Sequence, residues 1–145
     1  MADVDFFFED INQFKVPKPI RTRRWIRSVI RKEKRTLSHL NFIFCSDEYL
    51  LSINQQYLRH NTFTDIITFD NSEEPRTIEG DIFISIERVR ENADTRQIAF
   101  EDELNRVMVH GVLHLIGYKD KSNDDKALMR KKEDAYLSLR IVSEK

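Results

Sequence analysis

At 145 residues the chain is long enough for one domain that buries about two-thirds of its unfolded surface. Apolar residues make up 40% and charged residues 34%, with three glycines, three prolines and the single cysteine Cys45, which excludes a disulfide framework, long flexible linkers and an all-β fold full of tight turns. The net charge of −1 hides eight Lys/Arg against the one acid Glu33 within residues 21–35, a local positive field suited to an anionic partner such as a phosphate backbone. No apolar run reaches transmembrane length, and MADVDFFFED lacks the basic start and apolar core of a signal peptide, so no membrane partner and a cytoplasmic location are expected.

In chain order, VDFFFEDI reads as a strand, KVPKP breaks the chain, and residues 20–35 form an amphipathic helix with Trp25, Ile26, Val29 and Ile30 on its apolar side. HLNFIFC (39–45) alternates as a strand, and Ser46 or Asp47 caps a helix ending near Leu58. TDIITFD (64–70) and IEGDIFIS (78–85) read as strands joined by an acidic loop into a hairpin. From Ile86 onward the pattern is helical: IERVRENADTRQ, then a longer helix from about Phe100 to Leu115. The last helix, SNDDKALMRKKEDAYLSLRIV, opens with a capping box of Ser122 and Asp125. The order implies a single α+β domain over 1–145, with a four-stranded mixed sheet packed with about five helices. The helix ending at Gly117 is apolar on several sides and therefore central.

Within that helix the string HGVLHLIGYKD (110–120) puts His110 and His114 four residues apart, on one helical face. Two imidazoles so placed can reach one ion at about 2.0–2.1 Å; the same spacing also occurs in hydrogen-bonded histidine pairs. Gly117 suits the left-handed residue that stops a helix, and the chain can then return Asp120 toward both rings. Two nitrogens, a turn and one carboxylate leave a coordination position open, as in catalytic zinc sites. The spacing is also that of metzincin peptidases, whose first histidine is followed by a glutamate acting as general base. Here that residue is Gly111, which cannot move a proton.

The same string resembles the signature of the YbeY family of bacterial endoribonucleases, H-G-x-L-H-L-x-G-Y-D-H, at His110, Gly111, Leu113, His114, Leu115, Gly117 and Tyr118. TDIITF (64–69) is similar to the family's T-D-V-L-S-F and GDIFIS (80–85) to its G-D-I-x-I-S, so the resemblance spans roughly residues 40–136. It implies an α+β fold with a four-stranded sheet and a zinc-dependent hydrolase that cleaves single-stranded RNA. Ribosomal RNA maturation and a ribosomal partner follow by the same implication. His110 and His114 would be metal ligands, with His114 also counted among the catalytic residues. The third ligand would be Asp120, where the family has histidine. An aspartate ligand lowers the Lewis acidity of the ion relative to histidine.

The family's Y-R-x-K-D stretch is matched only loosely by Tyr57, Leu58, Arg59 and His60. By this resemblance Arg59 is the catalytic phosphate-contacting candidate and His60 a further phosphate contact. Arg21, Arg23, Arg24, Arg27 and Arg31 on the basic helix are expected to attract RNA without reading its sequence. Thr64 and Asp65 could support the cleft, Met129 reads as core, and Tyr118 either packs under the ligand loop or stacks on a base. With no glutamate beside His110, the general base is a metal hydroxide or a distant group. Two other functions fit parts of the pattern: a metallopeptidase, and a non-catalytic RNA- or ribosome-binding factor.

Overall fold

Alternation in the strands explains how the sheet is covered on both sides. The structure, a computed structural model, describes residues 3–60 and 62–143, with side chains described to residue 141. Its elements are β1 (Val4–Glu9), α1 (Pro19–Lys32), β2 (Thr36–Cys45), α2 (Asp47–Leu58), β3 (Ile66–Asp70), β4 (Thr77–Ser85), α3 (Ile86–Arg96), α4 (Phe100–Ile116) and α5 (Asn123–Ser143). The sheet runs β1-β2-β4-β3; β1 and β4 flank β2 in parallel, and β3 pairs antiparallel with β4 as the expected hairpin. Leu40, Phe42 and Phe44 of β2 and Ile82 and Ile84 of β4 face the main core, where Trp25, Ile26 and Ile30 of α1 and Met108, Val112 and Leu113 of α4 meet them. The opposite face carries a smaller cluster in which Leu50 of α2 packs on Cys45, Ile67 and Phe83. Burial pushes the Cys45 thiol up to about 12, with the charge of Asp47 adding to it, so this cysteine is an inert core residue.

The expected helix over 20–35 stops at Lys32, because Lys34 turns left-handed at φ 59° and releases the chain. β2 therefore starts at Thr36, three residues before the expected His39, held by the pairing of Thr36 with Thr77. β3 starts at Ile66, which leaves Thr64 and Asp65 in the approach to the strand. The caps follow their side chains: Ser46 Oγ accepts from Tyr49 N at 3.0 Å, and Ser122 and Asp125 bond reciprocally at 3.0 and 3.3 Å.

Two glycines position the site. A Cβ on Gly111 would lie 2.8 Å from Ile66 Cδ1 and 3.0 Å from Ile82 Cγ2, so α4 lies so close to β3 and β4 that a larger residue must displace these side chains. Gly117 ends α4 at φ 124°, and Tyr118 N bonds back to Leu113 O at 3.0 Å. That closure turns the chain toward Asp120. No helix is long and apolar enough to cross a membrane among the described residues.

Candidate metal centre

On α4, His110 and His114 stack edge to face, with ring centroids 4.5 Å apart. Their Nε2 atoms are 3.0 Å apart, and Asp120 Oδ2 lies 3.4 Å from His110 Nε2 and 3.2 Å from His114 Nε2. Three donor atoms thus form a nearly equilateral triangle. Bonds of about 2.0–2.1 Å in a tetrahedral shell require donors about 3.3–3.4 Å apart, so the triangle fits a small divalent cation with little movement. Two imidazole nitrogens facing each other beside a carboxylate also need a cation or shared proton between them, which the same ion satisfies.

Behind His110, its Nδ1 meets Glu133 Oε2 at 2.7 Å. Glu133 Oε1 accepts from Arg106 at 2.7 Å, and Arg106 also bonds Asp134 at 2.9 Å. Glu133 is buried. Burial alone would raise its pKa, but the hydrogen bonds from His110 and Arg106 hold it below the usual carboxylate range. At His110 burial opposes protonation, yet the bond and charge of Glu133, with Asp120 and Asp65 adding, carry the ring above its ordinary value. An ionised Glu133 orients the ring and fixes the proton on Nδ1, leaving the Nε2 lone pair free for a metal. The sequence reading missed Glu133; its signal was a position four residues beyond Met129, on the same face of α5.

Asp65 lies on the wall of the cavity of about 240 Å³ that contains His110, His114 and Asp120. Burial raises its carboxyl pKa, against the lowering charge of His110 and of Arg96 and Arg88. Asn92 Nδ2 donates to its Oδ2 at 3.4 Å. It is therefore a carboxyl outside the donor triangle, in an environment that favours holding a proton.

Of the expected phosphate contacts, Arg59 is exposed and closes α2 in a left-handed conformation at φ 57°. His60 lines a neighbouring cavity of about 380 Å³ with Phe63 and Leu58. That cavity shares Thr64, Ile66 and Thr68 with the one around the donors. Along α1, Arg23 donates to Val4 O at 2.9 Å and Arg27 pairs with Asp3 at 2.8 Å, so both also tie the helix to the start of β1. Arg24 and Arg31 are exposed and Arg21 is half-buried. The end of α1 approaches the site differently. Glu33, the lone acid of the basic run, accepts from Tyr118 Oη at 2.6 Å, from Lys132 Nζ at 3.1 Å and from Tyr136 Oη. Met129 is core, as expected.

The family profile described as Endoribonuclease YbeY matches residues 8–140. The chain belongs to this family. The YbeY endoribonuclease of Cytophaga hutchinsonii is 53% identical over 135 residues, covering 93% of this chain and 94% of the relative. That of Amoebophilus asiaticus is 52% identical, covering 98% and 97%, and that of Flavobacterium psychrophilum is 60% identical, covering 79% and 81%. Among solved structures, a Thermotoga maritima protein determined in solution superposes with a TM-score of 0.64 at 26% identity, covering 96% of this chain and 90% of its own. The YbeY match reaches well beyond the span of roughly 40–136 over which motifs were legible. The YbeY signature string is the part of the chain that forms the donor triangle, with Asp120 in the third corner.

Proposed function

We propose that the protein is a metal-dependent endoribonuclease that cleaves single-stranded RNA during ribosomal RNA maturation, including the 3′ end of the small-subunit RNA, and in ribosome quality control. The observation that carries this reading is the convergence of His110 Nε2, His114 Nε2 and Asp120 Oδ2 in a chain of this family. Zinc is the proposed ion, since two nitrogens and one carboxylate oxygen with an open position suit it. When bound it supplies Lewis acidity to a water and to a phosphoryl oxygen.

The chain's own groups do the rest. Glu133 holds His110 with Nε2 in the donor triangle, and His114 stands one turn on, so both would hold the ion. Asp65, with its raised pKa, takes a proton from the attacking water at a carboxylate oxygen or returns it to the leaving oxygen. Arg59 and His60 neutralise charge on the phosphate. Arg21, Arg24 and Arg31 supply salt-sensitive attraction, with Arg23 and Arg27 adding to the same positive field. The protein works in the cytoplasm beside the small ribosomal subunit.

A peptidase function has lost its support. The residue after His110 packs on Ile66 and Ile82 of the sheet, so a glutamate there would point into the core and away from the ion. Metal analysis with RNA cleavage by wild type and His114→Ala tests the proposal. Cleavage that requires both metal and His114 is expected; RNA binding without metal-dependent cleavage would leave only a binding factor.

A further inference from the structure

The cavity at the donor triangle has a neighbour on either side. On one side it shares Thr64, Ile66 and Thr68 with the cavity of His60 and Phe63. On the other it shares Asp65, His110 and Asp120 with a third cavity of about 350 Å³ between α3, α4 and α5. Four cations line this far arm, Arg96, Arg106, Lys126 and Arg130. Two of them are already matched. Arg96 Nη1 meets both oxygens of buried Glu103 at 2.9 and 3.0 Å, and Arg106 is divided between Glu133 and Asp134.

Lys126 and Arg130 differ. They lie one turn apart on the face of α5 that also carries Met129 and Glu133. Both are exposed. Among the described residues Lys126 makes no ion pair, and Arg130 reaches its nearest carboxylate, Glu133, only at 3.9 Å. Glu133 itself is engaged by Arg106 and His110 at shorter range. An anion entering the far arm would therefore find one lysine without an ion pair and one loosely held guanidinium there, the latter able to grip phosphate through two N–H groups.

We propose that Lys126 and Arg130 form a second phosphate subsite, which holds a backbone phosphodiester on the far side of the metal centre from His60. The inference rests on the endoribonuclease reading and extends it: a single strand would cross the metal centre from the His60 cavity to α5. It would be held by its backbone on both sides of the scissile bond.

The test uses the zinc-loaded full chain and a short single-stranded RNA with phosphorothioate linkages, which keep the backbone charge and resist hydrolysis. Binding of wild type and of the double variant Lys126→Gln/Arg130→Gln is measured over a fourfold range of salt. Losing two phosphate contacts should lower the log–log salt slope by about 1.4, equivalent to about sevenfold less weakening across that range. For a cleavable oligonucleotide KM should rise with kcat unchanged, while a dinucleotide too short to span both arms should be processed equally by both proteins. Zinc content should not change. Wild-type binding with an unaltered salt slope in the variant would overturn the subsite. So would loss of zinc in the variant, because the residues would then act on the metal centre itself. Failure of the endoribonuclease reading would look different, as wild type that binds the strand but cleaves nothing.

Discussion

Asp120 supplies the third donor of the triangle, and the geometry around it defines what an aspartate there can do. Its Oδ2 completes the triangle at 3.2 and 3.4 Å from the two imidazoles, so Asp120→Ala should lose bound metal. Asp120→His should retain it, as read by metal content after dialysis against a weak chelator. Equal metal content in Asp120→Ala and wild type would remove Asp120 from the ligand set. Glu133 acts one bond further out. Glu133→Gln keeps the shape but loses the charge that orients His110 and should lower metal affinity about 10–100-fold, measured by competition with a chromophoric chelator. Because Glu133 is buried and also pairs with Arg106, Glu133→Ala would confound that reading with lost stability.

At the scale of elements, the contact between α4 and the β3–β4 hairpin decides where the histidines stand. A Cβ on Gly111 would crowd the side-chain ends of Ile66 and Ile82, so Gly111→Ala must push the helix or those side chains. A loss of about 1–3 kcal/mol of stability is expected, checked by urea unfolding. Because His110 and His114 flank this contact, weaker metal binding should accompany that loss. Gly117, at φ 124°, serves differently. Its replacement strains the turn that returns Asp120, and the effect should fall on metal affinity more than on global stability. The glycine beside His110 appears in the sequence as a missing catalytic residue. In the fold it is a packing device.

Across the whole molecule, Glu33 links three distant segments: the end of α1, the loop bearing Tyr118 and Asp120, and α5 through Lys132 and Tyr136. Burial would raise its pKa, but the bonds from both tyrosines and the lysine outweigh that and hold it below the ordinary glutamate value. A depressed carboxyl stabilises the fold above its unfolded pKa, and the contribution fades as pH falls through the lower folded value. Glu33→Gln should therefore cost about 2 kcal/mol near pH 7, the scale of hydrogen bonds to a charged group. The gap to wild type should narrow as pH drops below about 4.5. Urea unfolding at several pH values reads this directly, and a gap constant with pH would show that the ionised carboxylate is not what stabilises.

Much of this architecture can be read from local pattern, because strand alternation, helix periodicity and caps are set within a few residues of one another. The α+β layout, the hairpin of β3 and β4, the capping box at Ser122 and the spacing of His110, His114, Gly117 and Asp120 all belong to that class. Element ends did not: β2 begins early because it pairs with β4, an interaction between segments about 40 residues apart. Glu133, Lys126, Arg130 and the partners of Glu33 were out of reach, and Asp65 was read only as a support for the cleft. Each is an ordinary charged residue in its own neighbourhood, on a helix face or before a strand. Its meaning comes from groups brought to it by chain reversal: His110 for Glu133, Tyr118 for Glu33, and the metal cavity for Asp65 and the two cations of α5. By itself the sequence determined which atoms could bind a metal. The tertiary structure decided how those atoms are oriented and which acids, bases and cations surround them, since electrostatics and burial depend on distance in space and not along the chain.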